Sequence, residues 1–571
     1  MACELARRSL PFARALLGPR SRRALGLAVA LGFGGSLLPL VAVAAKKGRN
    51  QEEASPSVTL RGHAPATFLR LFPLNVIGGQ GGLNPVPKKT AVFARGFGTK
   101  GTDVLNVMVF VPEGAGRYSV VFREQARVPV ALRRGDPQRP GGTSFVLSES
   151  MSESLEVAKG LRIGANLVRG VAEELGLRQM AKTTLSDTQL RRVFRKLFGD
   201  PILRLSDLAI SPDRSAGVTT VLGLVAKHPL DVDQNLLREA RSGELAETGV
   251  RSFPRVPLER AIRYLQMGRL IDGRVALGLL ASVSKAGLTV PASLASWPSA
   301  TERADLARDF DPERRRGTKA TDYTRVELGP STDPVTGEAD TGDGLRIASR
   351  SFTVRTKNGR ESRTDKFEHK AAVAPDQVSE LPVLRGPDGQ LYVGLVPTVS
   401  PGMLARTLQW VAEGLANPVG NVTSGIQLRG IVRDVAGYAK VRGGAARADK
   451  GQRGNLGVRP IYEEAIRGAH RTLAGLGLEA TQRTFQLGNF NASVGENAFH
   501  MNLVVREFAL RPGVSLDQVV KQRRTIRFVP LHEAVAFGLK NPTKVDQMTQ
   551  VQLLLLALKE KDGRVFRFRA E

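Results

Sequence analysis

Few side chains in this sequence have the types and spacing that catalysis or metal binding requires. Cys3 is the single cysteine among 571 residues, which excludes an internal disulfide and a zinc–thiolate cluster. The six histidines are scattered without HxxxH or HExxH spacing, and no serine lies in a GxSxG sequence. Residues 96–101 (Gly-Phe-Gly-Thr-Lys-Gly) lack the Walker spacing of a phosphate loop, so we expect a hairpin turn there. The remaining candidates are carboxylates.

Two pairs of adjacent glutamates lie in segments with a helical pattern. Glu173 and Glu174 precede a Leu-Gly-Leu sequence at 175–177, and Glu463 and Glu464 begin a segment that ends in Leu-Gly-Leu at 476–478. The central glycine of each Leu-Gly-Leu is placed where a helix C-cap needs a left-handed backbone. Adjacent helical positions lie about 100° apart, so Glu173 and Glu174 cannot both face one point.

An internal repeat organises the elements that must position these residues. Arg255–Ile262 recurs 273 residues later as Phe528–Val535. Each copy predicts a strand end, a proline turn, a short amphipathic helix, a loop aspartate (Asp272 or Asp546) and a buried apolar helix. Two further pairs of strands correspond: 118–122 with 391–395, and 218–225 with 498–505.

The repeat predicts two related α/β (α+β) units after an N-terminal leader. The predicted limits are 1–45 for the leader, 46–87 for a linker and N-terminal extension, 88–285 for the first unit, 286–367 for a partly ordered linker, and 368–562 for the second unit. In the second linker, Tyr323–Leu328 and Leu345–Thr356 alternate in the manner of short strands.

The two units resemble the Nudix hydrolases, most closely the ADP-ribose pyrophosphatase branch. That family has a mixed sheet between helices and a signature Gx5Ex7REUxEExGU, in which U is apolar. The resemblance implies two Nudix-like mixed-sheet sandwich domains in tandem, which could pack on each other as Nudix dimers do. Carboxylates of the signature helix hold Mg²⁺, which neutralises a pyrophosphate and activates water.

The first unit resembles only the later part of the signature. Glu173 and Glu174 match its paired carboxylates, but Gly170 replaces the preceding carboxylate, and Leu155 and Leu161 replace the upstream glycine and glutamate. The matching residues, in order, are Arg169, Glu173, Glu174, Gly176 and Leu177.

The second unit resembles the earlier part. Gly457, Glu463 and Arg471 match, whereas Thr472 and Gly475 occupy carboxylate positions and one residue is missing before the final glycine. The resemblance therefore implies catalytic carboxylates at Glu173 and Glu174, and metal ligands at Glu173, Glu174 and Glu463. Mg²⁺ or Mn²⁺ would be the cofactor of an active protein.

A Nudix-type site needs roughly three or four carboxylates, since one or two bind Mg²⁺ weakly without substrate phosphates. Both units fall short of this number, which favours a binding or scaffold protein without catalysis. Its partner would be a protein or a nucleotide-like ligand. A divergent hydrolase of a nucleoside diphosphate linked to another group is the alternative.

The charge of the chain opens a third interpretation. The net charge is +29 at pH 7, which suits a nucleic acid or another polyanion. The basic residues are spread along the chain and are mostly arginine, as G+C-rich coding also produces. A nucleic-acid partner is therefore not the favoured one.

The N-terminus predicts export. An arginine-rich start is followed by an uncharged apolar stretch, 24–45, which ends in a small-x-small cleavage site at 42–44. Ser21–Leu25 resembles a twin-arginine signal. An uncleaved membrane anchor and an organellar transit peptide are the alternatives. Glycines and a proline within the stretch favour cleavage, so we expect no lasting membrane span and a periplasmic or extracellular location.

Overall fold

The computed structural model describes most of the chain beyond residue 56. The described residues are 57–60, 69–95, 100–126, 146–149, 151–156, 203–209, 218–227, 250–252, 254–310, 323–331, 345–356, 361–372, 377–405, 425–434, 459–491, 501–522 and 525–569, with five positions between 188 and 198. The leader predicted at 1–45 lies outside them. Residues 55–571 form one unit by their contacts.

Strands and helices alternate along the described chain. Up to residue 310 the elements are β1 (Ser57–Leu60), β2 (Leu69–Ile77), β3 (Lys89–Arg95), β4 (Lys100–Pro112), β5 (Tyr118–Val121), β6 (Arg123–Ala126), β7 (Val146–Glu149), β8 (Met151–Glu156), β9 (Leu203–Ala209), β10 (Val218–Val225), β11 (Val250–Ser252), β12 (Arg255–Pro257), α1 (Leu258–Gln266), α2 (Gly273–Ala286), β13 (Thr289–Pro291) and α3 (Ala300–Phe310).

The later elements include three strands of 12 or 13 residues. They are β14 (Tyr323–Ser331), β15 (Leu345–Thr356), β16 (Glu361–Ala372), β17 (Gln377–Arg385), β18 (Leu391–Val399), β19 (Ile426–Arg429), β20 (Ile431–Asp434), α4 (Arg459–Gly475), β21 (Leu478–Phe490), β22 (Met501–Leu510), α5 (Leu516–Lys521), β23 (Arg527–Pro530), α6 (Leu531–Lys540), α7 (Gln547–Lys559) and β24 (Arg567–Arg569). The chain is therefore an α+β protein, as its sequence predicts.

Two mixed sheets dominate the fold and have the same strand order. The first sheet runs β12-β5-β4-β10-β9, with β8 also paired to β4. The second sheet runs β23-β18-β17-β22-β21, with β20 paired to β17 and β19 to β18. In each sheet the pair in the middle is parallel (β4 with β10, β17 with β22) and the other pairs are antiparallel.

The pairing registers agree between the two sheets. Phe110 pairs with Val120 in the first sheet, and Val383 pairs with Val393 in the second, 273 residues further along for both strands. Across the parallel pair, however, Phe110 faces Val225 and Val383 faces Glu507.

The strand correspondence predicted from the sequence is therefore wrong by two residues at β10 and β22. The sequence alignment makes Val505 the equivalent of Val225 in the second copy. The strand registers make Glu507 the equivalent of Val225 instead. Side chains alternate between the faces of a strand, so a shift of two residues keeps the same face buried. A hydrophobic pattern alone cannot detect such a shift.

The helices α2 and α7 form the centre of the molecule. They pack against each other, while α2 also contacts β4, β9 and β10, and α7 also contacts β17, β21 and β22. We call the first sheet with α1 and α2 the first half, and the second sheet with α4, α6 and α7 the second half. Two further contacts join the halves: α1 touches β21, and α6 touches β9. One hydrophobic core consequently contains residues of both sheets and of the helices α1, α2, α6 and α7.

A smaller sheet, β1-β2-β3, precedes the first sheet in sequence but packs on the second. Leu74, Val76 and Val92 form a cluster with Val399 and Ala405. The loop between β2 and β3 extends this contact through the buried Asn84, which donates a hydrogen bond to the Gly430 carbonyl. Two further three-stranded sheets are β11-β6-β7 and β14-β15-β16. The sheet β14-β15-β16 contains the strands expected within 286–367 and contacts β2.

The predicted domain limits, 46–87, 88–285, 286–367 and 368–562, stay predictions. Within the described part of the chain, no helix is long and apolar enough to cross a membrane.

Candidate functional site

Helix α4 lies where the second Nudix-like signature was expected. Its apolar residues Ile466, Ala469 and Leu473 follow helical spacing and are buried against the second sheet. Its opposite face, which includes Arg467 and Arg471, is exposed.

The end of α4 confirms a prediction made from the sequence. Gly477 has φ +82°, the left-handed backbone expected of a C-cap glycine. A Cβ atom at this position would lie 2.7 Å from the side chain of Val514, so close packing also favours glycine. The strand β21 can therefore start directly after the helix.

A buried carboxylate under α4 is the centre of the candidate site. Glu380 lies on β17 with its side chain 0% exposed. Arg506 of β22 donates from Nε to Oε2 of Glu380 at 3.0 Å. The Nε2 atom of His470, on α4, lies 2.8 Å from Oε1.

These contacts account for both oxygens of Glu380. The Arg506 side chain is 10% exposed and that of His470 is 21% exposed, so the ion pair is buried and the imidazole reaches the surface. The His470 ring also meets the Phe508 ring edge-on, with 5.6 Å between centroids. A buried charge needs such partners, because losing water is costly for an unpaired ion.

The site residues predicted from the sequence stay predictions, because the structure does not describe their side chains. Glu173 and Glu174 lie outside the described residues. Glu463 belongs to the first turns of α4, in a stretch whose side chains are outside the description. The two positions expected to lack carboxylates, Thr472 and Gly475, are exposed on α4, and the Thr472 hydroxyl donates to the carbonyl of Gly468 at 3.3 Å.

The described residues around α4 do not test a Nudix-type magnesium site, because the side chain of Glu463 is outside the description. Mg²⁺ prefers several carboxylate or water oxygens in octahedral geometry. Each oxygen of Glu380 already has one partner, Arg506 at Oε2 and His470 at Oε1. Among the described residues, no group of three or more His, Cys, Asp or Glu could hold a metal ion.

The two loop aspartates singled out by the repeat have structural contacts. Asp272 is the N-cap of α2 and accepts from the Arg274 backbone N–H at 2.8 Å, and its second oxygen lies 2.9 Å from Nη2 of Arg274. Asp546 is the N-cap of α7 and accepts from the Thr549 N–H at 3.1 Å. Both aspartates are 1% exposed, so each stabilises the start of a central helix.

The cap of α2 also joins the two halves. Asn491, at the end of β21, donates its backbone N–H to the Ile271 carbonyl at 2.7 Å and accepts from the Gly273 N–H at 2.8 Å. The loop before α2 is therefore held by the strand that follows α4.

An open cavity of about 640 Å³ lies at the C-terminal end of α4. Its lining includes Gly475, Leu476, Arg511, Val514, Gln518 and Lys521. The sequence analysis did not identify this cavity, because its walls come from three separate elements.

Sequence reasoning also missed Glu380. One signal was available: Glu380 is a lone acid between Val378 and Leu381 in a strand that is otherwise mostly apolar. Fully buried glutamates are rare unless they are paired.

Comparisons with known proteins give little further information. No protein-family model and no curated protein matches the chain. The crystal structure of an ADP compounds hydrolase is similar over 42% of this chain and 95% of its own, at 14% identity and a TM-score of 0.23. A similarity of this size does not establish a shared function.

Proposed function

We propose that this chain is a Nudix-like binding protein that has lost metal-dependent hydrolysis. The observation that carries the proposal is the environment of Glu380. Both of its oxygens are held, by Arg506 at 3.0 Å and His470 at 2.8 Å, directly under the helix that should supply metal ligands. On that helix, threonine and glycine stand where the signature has carboxylates.

The sheet topology supports a common origin for the two halves. The same strand order and the same parallel central pair recur in both sheets, and the β4–β5 and β17–β18 pairings lie 273 residues apart in register. We infer that the halves descend from one Nudix-like unit by duplication. Their shared core would then correspond to the interface of an ancestral dimer.

A hydrolysis assay tests the loss of catalysis. The full-length protein would be incubated with ADP-ribose and either Mg²⁺ or Mn²⁺, and AMP would be measured by chromatography. We expect AMP to form at the rate of the buffer control, because fewer carboxylates remain than the metal requires. Wild type, the Glu173→Gln/Glu174→Gln variant and Glu463→Gln should give the same result.

The opposite outcome would identify the alternative function. Metal-dependent AMP formation that disappears in Glu173→Gln/Glu174→Gln would establish a divergent hydrolase and overturn our proposal. Turnover that survives these substitutions but requires metal would also contradict it, since another set of ligands would then act.

We also propose that the leader exports the protein. The support is the arginine-rich start, the apolar stretch 24–45 and the cleavage site at 42–44. Mass spectrometry of the protein recovered from a bacterial host should show a mature N-terminus at Ala45. Recovery of the uncut chain from the membrane fraction would favour the anchor instead.

A further inference from the structure

From residue 466 to residue 475, where the side chains of α4 are described, the exposed face of the helix carries cations and small residues. Arg467, Arg471 and Gly475 are four residues apart and are all exposed, so they form one stripe along the helix. Gly468 and Thr472 lie beside the stripe and are also exposed. A ligand can therefore approach the helix backbone closely along this face.

The stripe leads to the cavity at the end of the helix. Gly475 lines the cavity, and two more cations, Arg511 and Lys521, line it with the amide of Gln518. The backbone N–H of Arg511 donates to the Gly477 carbonyl at 2.9 Å, which holds this wall against the end of α4. The stripe and the cavity thus form one continuous surface, which we call the α4 basic surface.

None of the four cations of the α4 basic surface forms an ion pair with a described carboxylate, whereas other arginines of the second sheet do. Arg506 pairs with Glu380, and Arg385 pairs with Glu560. Like charges at i and i+4, such as Arg467 and Arg471, destabilise a helix. An anionic ligand would relieve that repulsion.

We propose that the α4 basic surface binds the phosphate backbone of nucleic acid without reading its sequence. Guanidinium groups match phosphate oxygens bidentately, and three of the four cations are arginines. From Arg467 to Gly475 the helix axis rises about 12 Å, and the cavity continues beyond that point. A surface of this length suits a polymer of phosphates better than one phosphate group.

The composition of the surface also indicates how the nucleic acid is held. None of the described residues that line the cavity is aromatic, so the cavity offers bases no stacking platform. The surface therefore suits a duplex, whose phosphates are exposed and whose bases are stacked inside. This inference does not depend on whether the chain hydrolyses a nucleotide.

Fluorescence anisotropy with a labelled DNA duplex of about 20 base pairs tests the inference. The full chain would be compared with a variant that replaces Arg467, Arg471, Arg511 and Lys521 by glutamine. At about 0.1 M salt we expect at least tenfold weaker binding by the variant. The slope of log K against log salt should become shallower by up to about 3 to 4, because each lost phosphate contact removes nearly one counterion.

A second variant removes the same charge from other places. It replaces the exposed lysines Lys88, Lys227, Lys544 and Lys561 by glutamine. We expect this control to bind the duplex within about threefold of wild type. All eight positions are exposed, so both variants should keep the wild-type melting temperature. If the first variant unfolds, Arg467→Gln/Arg471→Gln alone gives the same comparison.

Three results would overturn the inference. Equal losses in the two variants would show that only net charge matters. Failure of the wild-type chain to bind the duplex would remove the ligand class. Preferential binding of a sulfated polysaccharide or an acidic protein, lost in the first variant, would assign the surface to a different polyanion.

Discussion

Glu380 shows how one buried charge can decide the chemistry of a site. Its carboxylate is fully buried, Arg506 forms an ion pair with it, and the His470 ring lies within hydrogen-bond distance. In the sequence, Arg506 is 126 residues from Glu380 and His470 is 90 residues from it. Pairing over such distances depends on sheet topology, which a local sequence pattern does not contain.

The Glu380→Gln substitution should destabilise the protein strongly. It removes the carboxylate that pairs with the buried Arg506 guanidinium, and breaking a buried ion pair typically costs about 3 to 5 kcal/mol. Glu560→Gln is the matched control, since Glu560 pairs with Arg385 at the surface and should contribute about 1 kcal/mol or less. Urea denaturation measures both free energies of unfolding.

A double variant separates the charge from the packing. In Glu380→Leu/Arg506→Leu both ions are gone, so we expect part of the lost stability to return. Equal losses in Glu380→Gln and Glu560→Gln would contradict the buried ion pair that the structure shows.

At the scale of elements, the sequence predicts where several helices lie but not which residues pack against them. The motif at 255–262 and 528–535 gives β12 with α1 and β23 with α6, and both loop aspartates cap a buried helix. Local patterns suffice for these elements, because proline turns, caps and 3.6-residue spacing are local signals. Sequence alone does not distinguish a helical glycine that is packed against a neighbour from one that faces solvent, as the glycines of α2 and α4 show.

Two helical glycines should respond in opposite ways to alanine. In α2 a Cβ at Gly278 would lie 2.8 Å from Cγ of Met108 and 3.1 Å from Cγ1 of Val221. Overpacking should outweigh the gain in helix propensity, so we expect Gly278→Ala to cost about 1 to 2 kcal/mol. In α4 a Cβ at Gly468 meets nothing within 4 Å.

The Gly468→Ala substitution should therefore stabilise the protein by up to about 1 kcal/mol. Urea midpoints of the two variants at equal protein concentration give the comparison. Stabilisation by Gly278→Ala would mean that α2 is not packed tightly on the first sheet.

The start of α3 should be sensitive to acid. The Ser299 backbone N–H donates to Glu302 at 2.7 Å, and the Glu302 N–H donates to the Ser299 hydroxyl at 3.2 Å. Hydrogen bonds from the Ser299 backbone and then its side chain hold the pKa of Glu302 below its ordinary value. The charged form is thus favoured in the folded state, and its stabilisation is present above the unfolded pKa and lost as pH falls through the folded pKa.

Comparison of wild type with Glu302→Gln tests this behaviour. Near neutral pH the wild type should melt at a slightly higher temperature, and the difference should vanish as the pH falls below the pKa of Glu302. Glu533→Gln changes the net charge equally and serves as the control. A difference that persists in acid would show that the carboxylate charge is not the cause.

At the scale of the molecule, segments that are far apart in the sequence are in direct contact. Asn84 precedes the first sheet, yet its amide donates to Thr398 Oγ1 at 2.9 Å and to the Gly430 carbonyl at 2.8 Å, and its oxygen accepts from the Val432 N–H at 2.9 Å. Sequence analysis placed this segment in a linker, because nothing local reveals a partner more than 300 residues away.

The central helices make the same point for the two halves. In α7, Val551 and residues 553–558 are at most 1% exposed. Six consecutive residues cover the whole circumference of a helix, so α7 is buried on all sides there. One side faces the second sheet and the other faces α2. A helix that is apolar all round is stable only when it is covered all round. Neither half therefore completes its core alone.

A substitution in α2 should consequently weaken both sheets equally. Leu279 is fully buried in α2, and Leu279→Ala should cost about 2 to 5 kcal/mol. Hydrogen exchange of the full chain, read for β4 and β10 of the first sheet and for β17 and β22 of the second, measures how far the effect spreads. If the core is one cooperative unit, the most protected amides of both sheets lose the same free energy of opening. A loss confined to the first sheet would show that the second half is stable without α2, and would reduce the shared core to a docking of two independent domains.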